Sequence, residues 1–298
     1  MKSLLRFLKT AIVGSLLLAS PYLASPFVAG VLFSACKSKP APKLEELPSL
    51  TLVLKGIEAD DPEHLTLLFH LEAEEPKGGH AKIESWQVEM EGQKAASAFT
   101  LEYPQGNFSL SSPVTLKLNM DVAALAAKGL APRDDYSLTL ITELDYSRDS
   151  AAPSKVEVRG PACFPGVQPP RFEITAIAIL KAELINTRFR VSLKIDNPNP
   201  FPLELSSFAF KLYGNGRLWA DGADRNILRV NSRSSLTGDL YLIMNFIDMD
   251  RNLLDQIIRL EDVNYRFTGD VEVSTGIDYL PKFNDGFDLS GYSEVLER

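Results

Sequence analysis

Three prolines and two asparagines break an otherwise strand-like run at residues 195–204, IDNPNPFPLE. Proline fixes φ and lacks a backbone N–H, so it cannot donate to a β-ladder and is confined to strand edges, ends and bulges. Asn197 and Asn199 each precede a proline, which drives both toward extended or polyproline backbone. Pro198, Pro200 and Pro202 remove three ladder donors. A strand ending at Ile195 therefore has to leave its neighbour here, and asparagine side chains can satisfy the backbone groups that are freed. Alternation resumes in LELSSFAFKLY. The stretch reads as a stiff crossing between sheet layers rather than a polyproline ligand for an SH3 or WW domain.

Around that crossing the chain alternates apolar and polar residues with the period of a half-buried strand. Leu50, Leu52 and Leu54, then Leu67, Phe69 and Leu71, then Trp86, Val88 and Met90 form three such sets. Phe172, Ile174 and Ala176, then Phe189, Val191 and Leu193, then Phe208, Phe210 and Leu212 return 122 residues later. The pairs Pro48/Pro170, Ile57/Ile179, Leu71/Leu193, Pro76/Pro198, Ser85/Ser207 and Gly92/Gly214 hold that offset without a gap. In each copy a further strand is followed by a short-helix pattern, DVAALAAKG or DRNLLDQIIRL, and then by more strand. Many short strands with Gly and Pro turns predict a mainly β fold of two tandem antiparallel β-sandwiches, each with one short helix. Asn215–Gly216 between alternating runs predicts a tight hairpin. The expected boundaries are 48–165 and 166–298, meeting near the proline-rich CFPGVQPPRF.

The N-terminus reads as a targeting device. Lys2, Arg6 and Lys9 give a basic start, and residues 10–35 carry no charge. Pro21 and Pro26 would break a stable anchor helix, which favours an export signal over residues 1–35. The run ends in LFSAC, which resembles the lipobox of bacterial lipoproteins. That resemblance implies diacylation of Cys36 as the new N-terminus, although Phe33 stands where an aliphatic residue is usual. An uncleaved anchor, or cleavage near Ala24 or Ala29, is the alternative. Residues 36–47, rich in Lys and Pro, would be a tether. Loss of residues 1–35 leaves 28 basic against 39 acidic residues. Such an acidic chain gains nothing from a phosphate backbone, so nucleic acid is not an expected partner.

The motifs NPNPFPLEL, FKLYGNGRLWADG, TGDLYLIMNF and FTGDVEVSTGIDYLPKF closely resemble the water-stress and hypersensitive-response (WHy) domain of type-2 late embryogenesis abundant proteins. The resemblance covers residues 169 to about 291. In the first copy EAEEPKGGHAKI replaces the Asn-Pro motif, and only Pro76 survives. The resemblance implies a sandwich of the immunoglobulin/fibronectin type III kind, no catalytic activity, and roles in stress protection or desiccation tolerance. Asn197, Pro198, Asn199, Pro200 and Pro202 carry over as an architectural element only.

No catalytic, metal or cofactor constellation emerges from the residues themselves. His64, His70 and His80 lack partners at metal-ligand spacing, and the glycine-rich KGGH and GNG lack a strand-to-helix context. The acidic EADDPEH and EAEEP, with Asp134 and Asp135, match no Ca²⁺-loop pattern and read as solvated loops. With Cys36 lipidated, Cys163 has no intramolecular partner and reads as a small, mostly buried residue. The expectation is a non-enzymatic protein lipid-anchored in the cell envelope, its partners the membrane and an envelope protein or other component. A secreted soluble stress protectant and an apolar-ligand carrier are the alternatives, and an enzyme is disfavoured.

Overall fold

The computed structural model describes residues 49–74, 79–148, 152–181, 187–244, 264–292 and 296–297. The export segment, the tether and Cys36 lie outside the described residues, as does the second predicted helix at 250–260. Residues Leu47–Arg298 form one compact unit. The fold is mainly β, as the alternation requires.

The first half runs β1 (Leu50–Ala59), β2 (His64–Ala73), β3 (Gly79–Met90), β4 (Gln93–Lys94), β5 (Phe99–Glu102), β6 (Phe108–Ser109), β7 (Val114–Asp121), α1 (Val122–Ala126), β8 (Asp135–Arg148) and β9 (Ser154–Pro165). One sheet has the order β1-β2-β7-β5 and the other β4-β3-β8-β9, with β6 also on β3. Leu67, Phe69, Leu71, Leu116 and Leu118 of the first sheet and Val88, Leu138, Leu140 and Leu144 of the second are buried in one core. Burying such side chains contributes about 1.5–3 kcal/mol each before entropy is set against it. Helix α1 starts where the sequence places it. Asp121 is the N-cap, its carboxylate accepting from the Ala124 amide at 2.9 Å, and Gly129 beyond the helix adopts φ +72°.

The second half runs β10 (Arg171–Lys181), β11 (Thr187–Asp196), β12 (Leu203–Gly214), β13 (Arg217–Asp224), β14 (Leu228–Val230), β15 (Ser235–Met244), β16 (Tyr265–Ile277), β17 (Leu280–Gly291) and β18 (Leu296–Glu297). Its strands join in a nine-stranded sheet, order β17-β16-β12-β13-β15-β11-β10-β18 with β14 on β12. The order β10-β11-β15 repeats β1-β2-β7, and β12-β16-β17 repeats β3-β8-β9. The sheet wraps a core of its own, in which Phe189, Val191, Leu193, Leu240 and Leu242 meet Leu205, Phe208, Leu212, Phe267 and Val273.

The 122-residue offset does not hold throughout. Glu91 and Gly92 both have positive φ (51° and 76°), as do Asn215 and Gly216 (46° and 78°). Met90 pairs with Gln93, and Gly214 with Arg217, so both are two-residue hairpins of the primed type. Gly92 therefore corresponds to Gly216, not to Gly214, an offset of 124. The slip falls inside the third strand, where β3 has a bulge between Ile83 and Ser85 and β12 a wider irregularity between Ser206 and Ala209. A bulge inserts residues without breaking the ladder, and this absorbs the difference.

Cys163 is also not where the sequence suggested. Ala162 and Phe164 of β9 point into the core, so by strand alternation Cys163 between them faces out and is exposed, opposite Ser137.

Candidate functional site

The crossing between β11 and β12 is built around two buried asparagines. Asn197 is 2% exposed and Asn199 fully buried, so each polar atom needs a partner. The Asn197 side-chain Nδ2 donates to the carbonyls of Phe201 (2.8 Å), Asn231 (3.0 Å) and Val230 (3.2 Å). Its Oδ1 accepts from the backbone N–H of Asn199 at 2.9 Å and from the Asn199 Nδ2 at 3.0 Å. Asn199 also grips the inter-half linker: its Oδ1 accepts from the Gln168 amide and its Nδ2 donates to the Gln168 carbonyl, both at 2.8 Å. On the other side the Asn197 amide donates to Ser234 O (2.9 Å) and the Arg233 amide to Asn199 O (3.0 Å). Pro200 and Pro202 face solvent and Pro198 is half-buried, so the rings stiffen the rim while the asparagines hold the interior. Three separate stretches, near Gln168, Phe201 and Val230–Ser234, are thereby fixed to one another.

A cleft of about 670 Å³ opens beside the crossing, lined among others by Arg133, Asp134, Arg171, Asp196, Arg233 and Ser235. Its charges are largely matched. Arg133 pairs with Glu91 at 2.7 Å, and Arg233 pairs with Asp134 across the two halves. Asp196 accepts from the Ser235 hydroxyl, which with Lys194 at 3.2 Å holds its carboxyl below the ordinary range. Asp135, the other acid singled out from sequence, begins β8 opposite Pro165.

EADDPEH lines a second cleft, of about 610 Å³, with Asp278 and Tyr279 of the other half. His64 Nδ1 lies 3.1 Å from the Asp61 carboxylate, and that hydrogen bond raises the imidazole pKa. Burial pushes Asp61 up, but hydrogen bonds from the Glu63 amide and the His64 ring outweigh it and leave the carboxyl below its ordinary value. Asp285 is pushed up, first by burial and then by the like charge of Glu63. His70 sits 3.7 Å from Glu72 on the outer face of β2, away from the other two histidines. Among the described residues no three His, Cys, Asp or Glu side chains converge in a way that could hold a metal ion.

Tyr279 joins the halves from the turn between β16 and β17. Its hydroxyl donates to the Pro165 carbonyl at 2.5 Å, and its ring meets Phe164 edge-on at 6.1 Å and 88°. Burial raises this phenol well above its ordinary pKa, so it remains a donor. Sequence reasoning did not single out Tyr279, Arg233 or Gln168, whose partners lie far along the chain.

With the crossing, the Asn-Gly hairpin and the β16–β17 turn in place, the comparison with known families is direct. Residues 192–279 match the late embryogenesis abundant protein family. The matched segment thus starts within β11, contains the whole asparagine crossing and ends on Tyr279. No curated protein sequence matches the chain. Similar solved structures include a protein from Archaeoglobus fulgidus (TM-score 0.26, 16% identity, covering 42% of this chain and 97% of that one). Red sea bream transglutaminase (0.27, 11%, 84% and 31%) and the periplasmic chaperone SfaE (0.24, 15%, 84% and 100%) are others.

Proposed function

We propose that this is a non-enzymatic, lipid-anchored protein of the cell envelope, built from two divergent copies of one late-embryogenesis-abundant module and acting in stress protection through contacts with envelope components. The observation that carries the reading is the fate of Asn197 and Asn199. They are the most distinctive polar residues of the family segment, and their side-chain contacts go to backbone and to each other. Side chains so committed hold a fold together and are not free to bind or transform a substrate. Beside the crossing Arg133 and Arg233 are held by Glu91 and Asp134, and in the other cleft His64 is held by Asp61, so these groups are likewise engaged within the fold.

Anchoring rests on LFSAC at residues 32–36 and on the uncharged run before it. The acyl chains on Cys36 would hold the chain at the membrane and residues 37–47 would space the sandwiches from it. The test is the intact mass of protein extracted from membranes, alongside Cys36→Ala. Loss of residues 1–35 with a diacylglycerol-sized adduct on Cys36 is the expected result. An unmodified mass, or retention of the leader, would rule the anchor out.

A further inference from the structure

We propose that the β16–β17 turn is a latch that locks the two halves into one rigid body, with Tyr279 as its bolt, so that the late-embryogenesis-abundant half does not act as an independent module. The inference is separate from the anchor and stands on the geometry of the junction.

The turn is built to hold Tyr279 out from its own sheet. Gly276 takes φ +72°, a conformation that side-chain-bearing residues rarely adopt. Thr275 is 5% exposed; its hydroxyl donates to Leu280 O at 2.5 Å and accepts from the Ile277 amide at 3.0 Å. A small loop braced from within by a buried hydroxyl presents its tip in one orientation. From that tip the Tyr279 ring packs against the cores of both halves. Its hydroxyl satisfies Pro165 O at the very end of β9, and Phe164, which it meets edge-on, packs in turn against Tyr136 at 5.6 Å with the rings tilted by 35°. Ala59 of the first half packs in the opposite sense, against the second core as well as its own.

The linker between the halves is held at both ends. The Gly166 amide donates to Asp134 O at 2.6 Å, Gln168 is gripped by Asn199, and Arg233 pairs with Asp134. A Cβ on Gly166 would lie 2.1 Å from the Arg133 carbonyl, so the linker lies tight against the first half. Tyr279 and Asn199 both belong to the family segment, and both have partners outside it, at residues 164–168. The first half is the seat on which the second is fixed.

The two tryptophans of the chain, Trp86 in the first half and Trp219 in the second, allow a test in the full-length protein. Trp86→Phe and Trp219→Phe each leave one reporter for urea unfolding. Coincident transitions of the two reporters are expected. Adding Tyr279→Ala should separate them and speed proteolysis of the 166–170 linker by about tenfold, the scale of one lost part-buried hydrogen bond plus a ring contact. Tyr279→Phe keeps the ring and removes only the hydroxyl, so a several-fold, smaller acceleration keeps the test decisive if the alanine variant does not fold. Separate transitions in the parent, or cleavage rates unchanged by both substitutions, would overturn the latch.

Discussion

The two halves share a strand order but close it by different means. In the first, β4 and β5 are separate short strands, one on each sheet, with a 3-10 turn at Ala96–Ala98 between them. In the second, the single strand β13 does both jobs, pairing with β12 along its length and bridging to β15 at Asp221–Ile243. One longer strand thereby turns two sheets into one. It also brings Trp219 into the core, where it stacks on Phe189 at 6.1 Å and lies over Gly214. The layer crossings differ too. At the start of β3 Gly79 lies under the Tyr146 ring, with space for no Cβ, whereas ahead of β12 the chain is packed by Asn197 and Asn199. The same topology thus accommodates an aromatic ring on a glycine at the entry to β3 and a polar clasp ahead of β12, where every buried backbone group needs a partner.

The contrast can be broken first at Asn197. Asn197→Ala leaves three carbonyls, that of Val230 buried and those of Phe201 and Asn231 partly so, and the Asn199 amide without their partner, a loss on the order of 3 kcal/mol. Urea unfolding followed at Trp219 should show it, and Asn197→Asp should fare little better, because a carboxylate cannot donate to carbonyls. Next comes the pair of glycines that a gapless alignment equates. A Cβ on Gly214 would fall 1.7 Å from the Trp219 indole, whereas one on Gly92 meets nothing but sits at φ +76°. Gly214→Ala should cost about 2–3 kcal/mol through overpacking, and Gly92→Ala about 1 kcal/mol through backbone strain alone. Equal costs would contradict the two-residue slip.

Smaller effects are expected from titration. Asp285 has a folded pKa above its ordinary value, so the folded state is penalised increasingly as pH rises through the ordinary value, and fully once it exceeds the raised one. Asp285→Asn should raise the melting temperature modestly at neutral pH, and the gain should vanish below the ordinary carboxylate range, where both states are protonated. Smallest is the His64–Asp61 pair on the surface. The raised His64 pKa means that its contribution is present below the unfolded value and is lost as pH rises through the folded one. The lowered Asp61 pKa means that its share fades as pH falls through that value. Proton NMR should place the His64 midpoint above that of an ordinary histidine, with Asp61→Asn returning it; melting curves should barely register the change.

Much of the fold was legible because it is written locally. Alternation marks the strands, Asp121 and Gly129 bracket α1, and Asn215–Gly216 dictates its own turn. The proline-fixed departure of the chain after β11 could be read from φ restriction alone. Features set by distant partners could not. Nothing around Tyr279 in IDYLP distinguishes a hairpin tip from a bolt, because its receiving carbonyl lies 114 residues away. The asparagine clasp is half legible: the freed groups could be foreseen, but the carbonyls of Gln168, Val230 and Asn231 could not. Cys163 was misread because strand phase, not hydrophobicity, decides which side of β9 a small residue faces. The slip inside the third strand was hidden because a bulge changes the count without changing the pattern.

The most direct measurement is amide hydrogen exchange at Asn199 and Gln168. Both lie outside any strand ladder, yet each donates its N–H to an asparagine side-chain oxygen, at 2.9 and 2.8 Å. If the clasp is what holds the crossing, these two loop amides exchange as slowly as those of β11 and β12, and Asn197→Ala brings both to loop-like rates. Fast exchange at both in the unaltered protein would contradict an architectural role for the asparagines.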